Sequence, residues 1–301
     1  MEYRTLGTTE LKVSSIGMGC VTFGREIDHG ASFDVLDRAW ERGINLFDTA
    51  AGYAKGDSEK VLGQWISNRG VRGQIVLATK VGGTLTKKGV LASAEESLAR
   101  LKTEYIDLFQ LHGWDGETPL DETLAGLTTL VEKGKVRFVG CSNWAAWQLA
   151  KGLLLANRNG LALMRSVQPP YNLVQREIES DLLPLCTDQG IGVITYSPLA
   201  AGFLVGKYRR GEDVPQGTRF DVIPGHQPIY FTDHGYAVLD RLKNMAEKTG
   251  QSVVQLALAW TMTRPHVTSV LIGARNTAQV DQAFDAEAFG MDEAACKELA
   301  S

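Results

Sequence analysis

The sequence predicts a (β/α)8 barrel with an N-terminal β-hairpin and a long loop after the seventh barrel strand. Eight short apolar runs alternate with amphipathic stretches through the 301 residues, and no linker or change in composition divides the chain. Strand followed by helix, repeated eight times, is typical of a closed parallel sheet. We therefore expect a single domain over residues 1–301. The predicted barrel strands are Ile16–Gly19, Asn45–Asp48, Ile75–Ala78, Ile106–Phe109, Val136–Val139, Ser166–Gln168, Val193–Tyr196 and Ser269–Ile272.

Two segments depart from this repeat. Tyr3–Leu6 and Leu11–Val13 flank a short turn sequence, which predicts a β-hairpin that plugs the floor of the barrel. The segment Gly206–Thr232 follows the seventh run and is rich in glycine, proline and charge. It is too long for an ordinary connection between a strand and a helix, and such loops are usually functional. We expect it beside the active site.

Sequence patterns typical of helices lie between the predicted strands. Thr118-Pro119 followed by Asp121 resembles a capped helix start, and Ser93 with Glu96 indicates a second capping box. Apolar residues also recur at helical spacing after Pro119 and before the last strand. These residues are Leu120, Leu124, Leu127 and Val131 in the first stretch, and Val253, Leu256, Ala257 and Trp260 in the second.

Charge and composition narrow the possible partners. The formal net charge of -4 is spread along the chain, with no lysine and arginine cluster of the kind that follows a phosphate backbone. The N-terminus lacks an apolar signal region, and no stretch is long enough to span a bilayer. The four cysteines form no CxxC pair, so neither a zinc site nor a redox dithiol is indicated. We expect a cytoplasmic protein with no nucleic-acid or membrane partner and no metal.

Polar residues close or follow successive strands, and in a barrel these ends carry the catalytic groups. Each such residue taken alone is more often a cap, a turn residue or a solvated charge. Together, however, they would face one cavity. They are Asp48, Tyr53, Lys80, His112, Ser142, Asn143, Gln168 and Tyr196.

Four of these residues suit one kind of chemistry. A tyrosine hydroxyl is a weak acid at neutral pH, but a nearby ammonium such as that of Lys80 stabilises the phenolate. A buried lysine is costly unless it is paired, and Asp48 is placed to hold it ionised. His112 can donate a hydrogen bond to a carbonyl oxygen. The set indicates protonation of an alkoxide by Tyr53 as hydride reaches the neighbouring carbon.

Several motifs in this order resemble those of the aldo-keto reductases over nearly the whole chain. The resemblance implies that Tyr53 is the proton donor, that Lys80 and Asp48 tune it, and that His112 orients the carbonyl group. The motifs are Asp48-Thr49-Ala50-Ala51-Gly52-Tyr53, Ser58-Glu59, Thr79-Lys80, Leu111-His112, Gly134-Lys135-Val136-Arg137 and Ser142-Asn143.

The same resemblance implies a nicotinamide cofactor, NADPH or NADP+ rather than NADH. Its carboxamide would hydrogen-bond to Ser142, Asn143 and Gln168, and Tyr196 would stack on its ring. The stretch after the seventh strand is similar to the family segment that wraps the pyrophosphate. One residue that ends the first barrel strand and one that follows it would line the same site. These residues are Ser197, Leu199, Gly202, Leu204 and Lys207, together with Gly19 and Thr22.

The adenosine end of the cofactor would lie after the last strand. Gly273 and Arg275 resemble the family segment that binds it, and Arg275 can pair with a 2′-phosphate, which favours NADPH. Gln279 matches the family pattern. The family usually continues to a Glu-Asn pair that holds the adenine, whereas this chain has Gln282-Ala283. Because alanine has no amide, we expect weaker contacts to the adenine.

The substrate would be a small carbonyl compound or alcohol, such as a sugar, an aldehyde or a ring ketone. Phe23, Trp114, Trp144 and the aromatic residues of the long loop, including Phe220, Tyr230 and Phe231, would form an aromatic rim with Asp115 and Arg219 as polar neighbours. Trp147 is expected in the core.

Two other functions are open to a barrel of this class. The first is a nicotinamide-binding regulatory or partner protein on the same fold, as the potassium-channel β subunits are; the presence of all four catalytic-type residues disfavours it. The second is a metal-dependent hydrolase, which needs several histidine and carboxylate ligands at strand ends. The chain has 5 histidines, none in an HxH pair, and only His112 closes a predicted strand.

Overall fold

The computed structural model describes residues 1–301, and eight of its ten strands close into a parallel barrel in the order β10-β3-β4-β5-β6-β7-β8-β9. The eight predicted barrel strands are therefore confirmed, with most of their bounds shifted by a few residues. The strands are β1 (Tyr3–Thr5), β2 (Lys12–Ser14), β3 (Ile16–Gly19), β4 (Leu46–Asp48), β5 (Val76–Lys80), β6 (Ile106–Leu111), β7 (Val136–Ser142), β8 (Met164–Gln168), β9 (Gly192–Thr195) and β10 (Ser269–Ile272).

Helices follow the barrel strands and surround them. None of them combines the length and the apolar character that crossing a membrane requires. They are α1 (His29–Glu41), α2 (Asp57–Arg69), α3 (Lys87–Leu101), α4 (Leu120–Glu132), α5 (Ala146–Asn159), α6 (Leu182–Gln189), α7 (Arg219–Val222), α8 (Gln227–Tyr230), α9 (Asp233–Thr249), α10 (Val253–Met262), α11 (Thr277–Phe289) and α12 (Glu293–Ala300).

Two predicted helix caps are wrong, although the helices exist. Helix α3 begins two turns before Ser93, and the side chain of Thr86 caps it by accepting from the amide of Gly89. Ser93 lies inside the helix, where its hydroxyl instead accepts a bond from the backbone of Gly82. Helix α4 begins at Leu120 as predicted, but no side chain caps it. Thr118 donates its hydroxyl to Asp115 instead, so its side chain belongs to the preceding turn.

The N-terminal hairpin closes the floor of the barrel, as predicted. Strands β1 and β2 pair antiparallel, and the side chains of Leu6, Leu11 and Val13 pack against inward-facing residues of the barrel strands. The turn requires glycine at position 7, because its φ is +54° and an added Cβ would lie 2.5 Å from the carbonyl oxygen of Gly190. We call the apolar group at this end the floor cluster. Its members are Leu6, Leu11, Val13, Leu46, Val76, Ala78, Leu108, Ile194 and Leu271.

A buried carboxylate reinforces the same end of the barrel. Asp107, near the start of β6, pairs with Arg72 at 2.8 Å and with Arg137 at 2.8 Å. Arg137 also reaches Glu10 of the hairpin turn at 3.0 Å. The arginine of the Gly134–Arg137 motif therefore ties the hairpin to the barrel floor, at the end opposite the predicted catalytic residues.

The segment Gly206–Thr232, which we call the lid segment, is more ordered than the predicted loop. It contains the short helices α7 and α8 and an aromatic cluster in which neighbouring ring centroids lie 5.0 to 6.4 Å apart. Phe220 and Tyr230 are buried in this cluster and Phe231 is largely enclosed by it. The sequence predicts that these residues rim a substrate pocket, whereas in the structure the lid segment uses its aromatic rings to pack its own core.

Candidate active site

The ends of β4, β5 and β6 bring the four predicted catalytic residues together. The ammonium of Lys80 donates to the carboxylate of Asp48, and its Nζ lies 3.3 Å from the hydroxyl oxygen of Tyr53. It also donates to the carbonyl oxygen of Thr49 at 3.0 Å. The ring of His112 meets that of Tyr53 edge to face, with centroids 5.7 Å apart. The strand ends thus assemble a charged pair beneath a tyrosine and a histidine.

Burial and the neighbouring groups together set the charges of Lys80 and His112. Lys80 is 1% exposed and Asp48 is 2% exposed. Burial acts to lower the pKa of Lys80, but Asp48 and Tyr53 outweigh it and the pKa is raised above its usual value. Burial lowers the pKa of His112, the Lys80 ammonium adds to this effect, and Asp48 opposes it. At neutral pH, Lys80 is therefore an ammonium ion and His112 a neutral imidazole.

The backbone after Tyr53 turns sharply. Ala54, Lys55 and Gly56 have φ values of +48°, +54° and +90°, so three residues in succession occupy the left-handed region. For the two residues that carry a Cβ, this conformation costs free energy and persists only where its surroundings enforce it. The turn connects the end of β4 to helix α2 and points the side chain of Tyr53 towards Lys80.

The Ser58-Glu59 motif braces the backbone around the charged pair. Ser58 donates its only hydroxyl proton to the carbonyl oxygen of Cys20 at 2.7 Å, so Thr49 is the donor in the 2.9 Å bond between their hydroxyls. The fully buried Glu59 accepts from Thr79 at 2.6 Å and from Arg100 at 2.6 Å. These bonds hold the residues adjacent to Asp48 and Lys80, which gives the motif a structural role.

Two buried glutamines complete the surroundings of Asp48. Its Oδ2 accepts from the amide nitrogen of Gln110 at 3.0 Å and from that of Gln168 at 2.9 Å. Gln168 was predicted to line the cofactor site, but its side chain lies behind Asp48 and outside the cleft described below. Sequence reasoning missed Gln110. The available signal was an amide in a buried strand, two positions before His112.

A cleft of about 580 Å³ extends from Tyr53 and His112 across the top of the barrel. Most of the predicted cofactor residues line it, although they come from loops that are distant in sequence. It is also lined by Asp48, Tyr53 and His112 of the catalytic set. The predicted cofactor residues that line it are Gly19, Thr22, Ser142, Asn143, Tyr196, Ser197, Leu199, Gly202, Lys207, Gly273, Arg275, Gln279 and Gln282.

Asn143 links the histidine to the wall of the cleft. Its φ of +59° is unusual for a residue with a side chain. Its amide nitrogen donates to the carbonyl oxygen of His112 at 2.9 Å, and its amide oxygen accepts from the hydroxyl of Tyr196 at 2.7 Å. Burial raises the pKa of Tyr196 to about 12, with Tyr53 acting in the same direction and Lys80 opposing. Tyr196 therefore stays protonated as the donor to Asn143.

The next part of the cleft has an unusual backbone. Ser197, Ala200, Ala201 and Gly202 have φ values of +56°, +51°, +55° and +89°. Turns built from left-handed residues direct successive backbone N–H groups to one side and form concave anion sites. Lys207 lines the same cleft and contributes a positive charge. This stretch is therefore suited to a phosphate group.

Sequence reasoning gave Arg219 only a substrate-side role and did not name Arg25, Glu26 or His226 among the lining residues. Glu26, which follows β3, pairs with Arg219 of the lid segment at 2.9 Å, so the ion pair joins two loops across the cleft. Burial lowers the pKa of Arg219, as do the charges of Arg25 and Arg275, while Glu26 opposes. Three guanidinium groups thus crowd one region beside a single carboxylate, and an anion bound there would relieve their repulsion.

Two hydrogen bonds hold the loop after β10, where the sequence predicts the adenosine end of the cofactor. Gln279 accepts from the backbone of Arg275 at 2.8 Å and thereby holds the loop after β10. Thr22 donates to the carbonyl oxygen of Ala274 at 3.1 Å, which joins this loop to the one after β3. Gln282 and Ala283 both line the cleft, and Ala283 contributes no hydrogen-bonding group there.

Several predicted binding residues lie outside the cleft. Leu204 and Phe23 are fully buried in the apolar core, and Tyr230 donates its hydroxyl to Gln175 at 2.6 Å inside the lid packing. The burial of a side chain in a loop depends on packing against distant elements, which a local sequence pattern does not show. Trp114 and Trp144, predicted as substrate residues, also do not line the cleft.

The tryptophans form a separate cluster beside the cleft. The ring of Trp114 meets that of Trp144 at 4.9 Å between centroids and that of Trp147 at 5.4 Å, both edge to face. Trp144 is buried against Gly152 of helix α5. Trp147, expected in the core, is 61% exposed. No three histidine, cysteine, aspartate or glutamate side chains converge in the way that a metal site requires.

Comparison with known proteins identifies the family. The sequence model of the aldo/keto reductase family matches residues 15–301. The "Probable voltage-gated potassium channel subunit beta" of Arabidopsis thaliana is 35% identical over 296 residues, which cover 94% of this chain and 90% of that protein. The protein of the same name from Oryza sativa subsp. japonica is 34% identical over 294 residues, covering 93% and 89%. The "Uncharacterized oxidoreductase YrpG" of Bacillus subtilis (strain 168) is 33% identical over 311 residues, covering 97% and 93%. The chain therefore belongs to the aldo/keto reductase family.

Proposed function

We propose that this protein catalyses the NADPH-dependent reduction of an aldehyde or ketone, or the reverse oxidation, with Tyr53 as the proton donor. The observation that carries the proposal is the position of Lys80, whose ammonium contacts both Asp48 and Tyr53 at one end of the cleft. The family and the oxidoreductase among the relatives support the same class of reaction.

In the proposed reaction, each of the four residues would have a separate role. Bound nicotinamide supplies the hydride. The Tyr53 hydroxyl donates its proton to the carbonyl oxygen as negative charge develops there, and Lys80, 3.3 Å away, stabilises the phenolate that remains. Asp48 holds the ammonium in place. The neutral imidazole of His112 donates a hydrogen bond to the same carbonyl oxygen and orients it. In the reverse direction, Tyr53 accepts the proton.

The cleft is suited to a dinucleotide. Its left-handed turn at Ser197–Gly202 and the charge of Lys207 fit a pyrophosphate. Arg275 and Arg219 stand near one another further along, and guanidinium groups recognise phosphate oxygens in pairs of hydrogen bonds. This arrangement favours the extra 2′-phosphate of NADPH over NADH. Ala283 contributes no polar contact to an adenine, so the phosphate contacts would supply most of the affinity at that end.

A second candidate function comes from the relatives. Those from Arabidopsis thaliana and Oryza sativa are named as potassium channel subunits, which favours a protein that binds nicotinamide and regulates a partner. The convergence of Tyr53, Lys80, Asp48 and His112 at the cleft favours turnover instead. Tight NADPH binding without turnover of any carbonyl compound would support the regulatory function.

The first experiment compares wild-type protein with Tyr53→Phe. Both are titrated with NADPH by fluorescence and assayed against sugar aldehydes, simple aldehydes and ring ketones through NADPH absorbance. We expect kcat to fall by about 10²- to 10⁴-fold in Tyr53→Phe with little change in NADPH affinity, since only the proton donor is lost. Tyr105→Phe, at the barrel floor, is the matched control and should behave as wild type. Full activity in Tyr53→Phe would contradict the proposal.

The cofactor preference has its own test. Arg275→Ala should weaken NADPH about 10- to 100-fold, because a charge-assisted contact to phosphate contributes about 1.5–3 kcal/mol, and it should leave NADH nearly unchanged. Arg209→Ala, a substitution at an exposed arginine outside the cleft, is the control. Equal losses for NADPH and NADH would count against a contact between Arg275 and the 2′-phosphate.

A further inference from the structure

Four polar side chains fill the barrel interior beneath Tyr53. We call Asp48, Lys80, Gln110 and Gln168 the polar layer. Each is almost completely buried, so the carboxylate of Asp48 depends mainly on protein donors. Its Oδ1 is taken by Lys80, and its Oδ2 receives the amide nitrogens of Gln110 and Gln168. Both oxygens of the carboxylate are therefore occupied by donors from the protein.

The orientation of the two amides follows from the carboxylate. An ionised carboxylate only accepts hydrogen bonds, so each glutamine must present its NH₂ group to Oδ2. Gln168 also lies 3.3 Å from the amide oxygen of Gln110, to which it donates. Asp48, Gln110 and Gln168 thus close a small ring of hydrogen bonds, and the amide orientations that satisfy Asp48 also satisfy each other.

The strands on both sides place Gln110 in this ring. Gln110 on β6 is in register with Lys80 on β5 and with Gly140 on β7. Gly140 presents no side chain to the interior, and a Cβ there would lie 3.4 Å from the Cγ of Gln110 and would collide with the hydroxyl of Ser166. The close approach of Ser166 therefore requires glycine at position 140, and the side chain of Gln110 packs beside this glycine at van der Waals distance.

We propose that Gln110 is a positioning residue for the reaction: its amide holds the Asp48 carboxylate so that Asp48 keeps Lys80 directed at Tyr53. The proposal rests on the proposed function, because Gln110 acts only through Asp48 and Lys80. Gln110 does not line the cleft, so it does not touch cofactor or substrate. It is a cleaner probe than Gln168, for which the family resemblance implies a cofactor contact as well.

The first test is Gln110→Met, which keeps the length of the side chain and removes its donor. Asp48 then has one amide donor on Oδ2 and holds Lys80 less firmly. We expect kcat to fall about 10-fold, the change that corresponds to the loss of one such hydrogen bond, while the Kd of NADPH and the KM of the carbonyl compound stay unchanged. Leu108→Met, two positions earlier on β6 and in the floor cluster, is the control and should leave kcat unchanged.

The second test is Gln110→Glu, which places a second carboxyl group beside Asp48. When protonated, Glu donates its O–H to Asp48 as the amide does; when ionised, it repels Asp48 and competes for Lys80. We therefore expect the kcat of this variant to decrease as pH rises through a range in which the kcat of wild type is constant. A residue that only filled space would not create this pH dependence.

The outcomes separate the two proposals. Turnover by wild type that survives in Tyr53→Phe overturns the proposed function and, with it, the role of Gln110. Turnover that requires Tyr53 but has the same kcat in Gln110→Met, or the wild-type pH profile in Gln110→Glu, overturns only the role of Gln110. Circular dichroism and NADPH binding show whether each variant is folded. If Gln110→Met does not fold, the pH profile of the nearly isosteric Gln110→Glu decides the question alone.

Discussion

The two ends of this barrel are closed by opposite chemistry. At the floor, the hairpin inserts Leu6, Leu11 and Val13 among apolar strand residues, and burying such a side chain contributes about 1.5–3 kcal/mol to stability. At the catalytic end, the polar layer buries an ion pair and two amides, and a buried ion pair seldom stabilises a protein more than well-packed apolar residues do. The contrast favours a floor that supplies stability and, under the proposed function, a polar layer that serves the reaction.

A charged group also lies at the floor, and its surroundings differ from those of the polar layer. Asp107 is nearly completely buried, but it receives Arg72, Arg137 and the backbone amide of Leu77, the last at 3.0 Å. An open groove lies beside Arg137, but Asp107 does not line it, and no tyrosine hydroxyl hydrogen-bonds to Asp107. A buried carboxylate alone therefore does not make a reactive site; the neighbouring tyrosine and the cleft do.

The largest effect is expected from Lys80→Met. Removing the ammonium leaves the phenolate of Tyr53 without its positive neighbour, so kcat should fall by about 10²- to 10⁴-fold. It also leaves the Asp48 carboxylate buried without a counter-ion, which should cost about 3–5 kcal/mol of unfolding free energy. Kinetics and urea denaturation measure the two losses. The double variant Asp48→Asn/Lys80→Met should regain the unfolding free energy lost in Lys80→Met but not the lost kcat. If the unfolding free energy is not regained either, the stability of the catalytic end does not depend on the buried charge as we expect.

Leu6→Ala tests the opposite end. Truncating a fully buried leucine should lower the unfolding free energy by about 2–5 kcal/mol, while kcat and NADPH affinity stay near those of wild type. Leu154→Ala is the control, because that side chain is 68% exposed and should cost less than about 0.5 kcal/mol. A fall in kcat without loss of stability would show that the floor also serves the reaction.

His112 connects stability at the catalytic end to pH. Its pKa in the folded protein is lowered by burial and by Lys80, so between this pKa and 6.5 the unfolded chain binds more protons than the folded one. The contribution of neutral His112 is therefore complete above pH 6.5 and is lost as pH falls through the folded pKa. Thermal unfolding followed across this range should show a weaker dependence on pH in His112→Gln. An unchanged dependence would assign the acid sensitivity to other groups.

The smallest effect is expected from Arg137→Met. Its side chain is 41% exposed, and Asp107 keeps Arg72 and the amide of Leu77, so the loss should be about 0–1 kcal/mol with no change in kcat. Thermal unfolding at low and high salt measures it, and a small loss should shrink further in high salt. A loss as large as that of Leu6→Ala would mean that the floor depends on its ion pairs as much as on its apolar cluster.

The sequence predicted correctly those features that a local pattern of residues is sufficient to specify. The apolar runs predicted eight barrel strands, and because parallel strands end at one face, Asp48, Lys80 and His112 had to meet there. The prediction failed where the position of a side chain depends on elements that pack against it or on a competing residue. Ser93 resembles a helix cap but lies mid-helix, because Thr86 caps α3 two turns earlier. Trp147 lies on the outward face of α5 instead of in the core.

The sequence by itself therefore determined the barrel, its hairpin floor and the meeting of Asp48, Tyr53, Lys80 and His112, since these depend on strand order and on which residues close or follow each strand. Only the tertiary structure decided the hydrogen-bond partners and the burial of the remaining side chains. It turned Gln168 towards Asp48, revealed Gln110 as a second donor and packed Tyr230 into the lid segment. The physical reason is that a buried polar group must find its partners among residues distant in sequence, and an aromatic ring in a loop is buried by whichever elements fold over it.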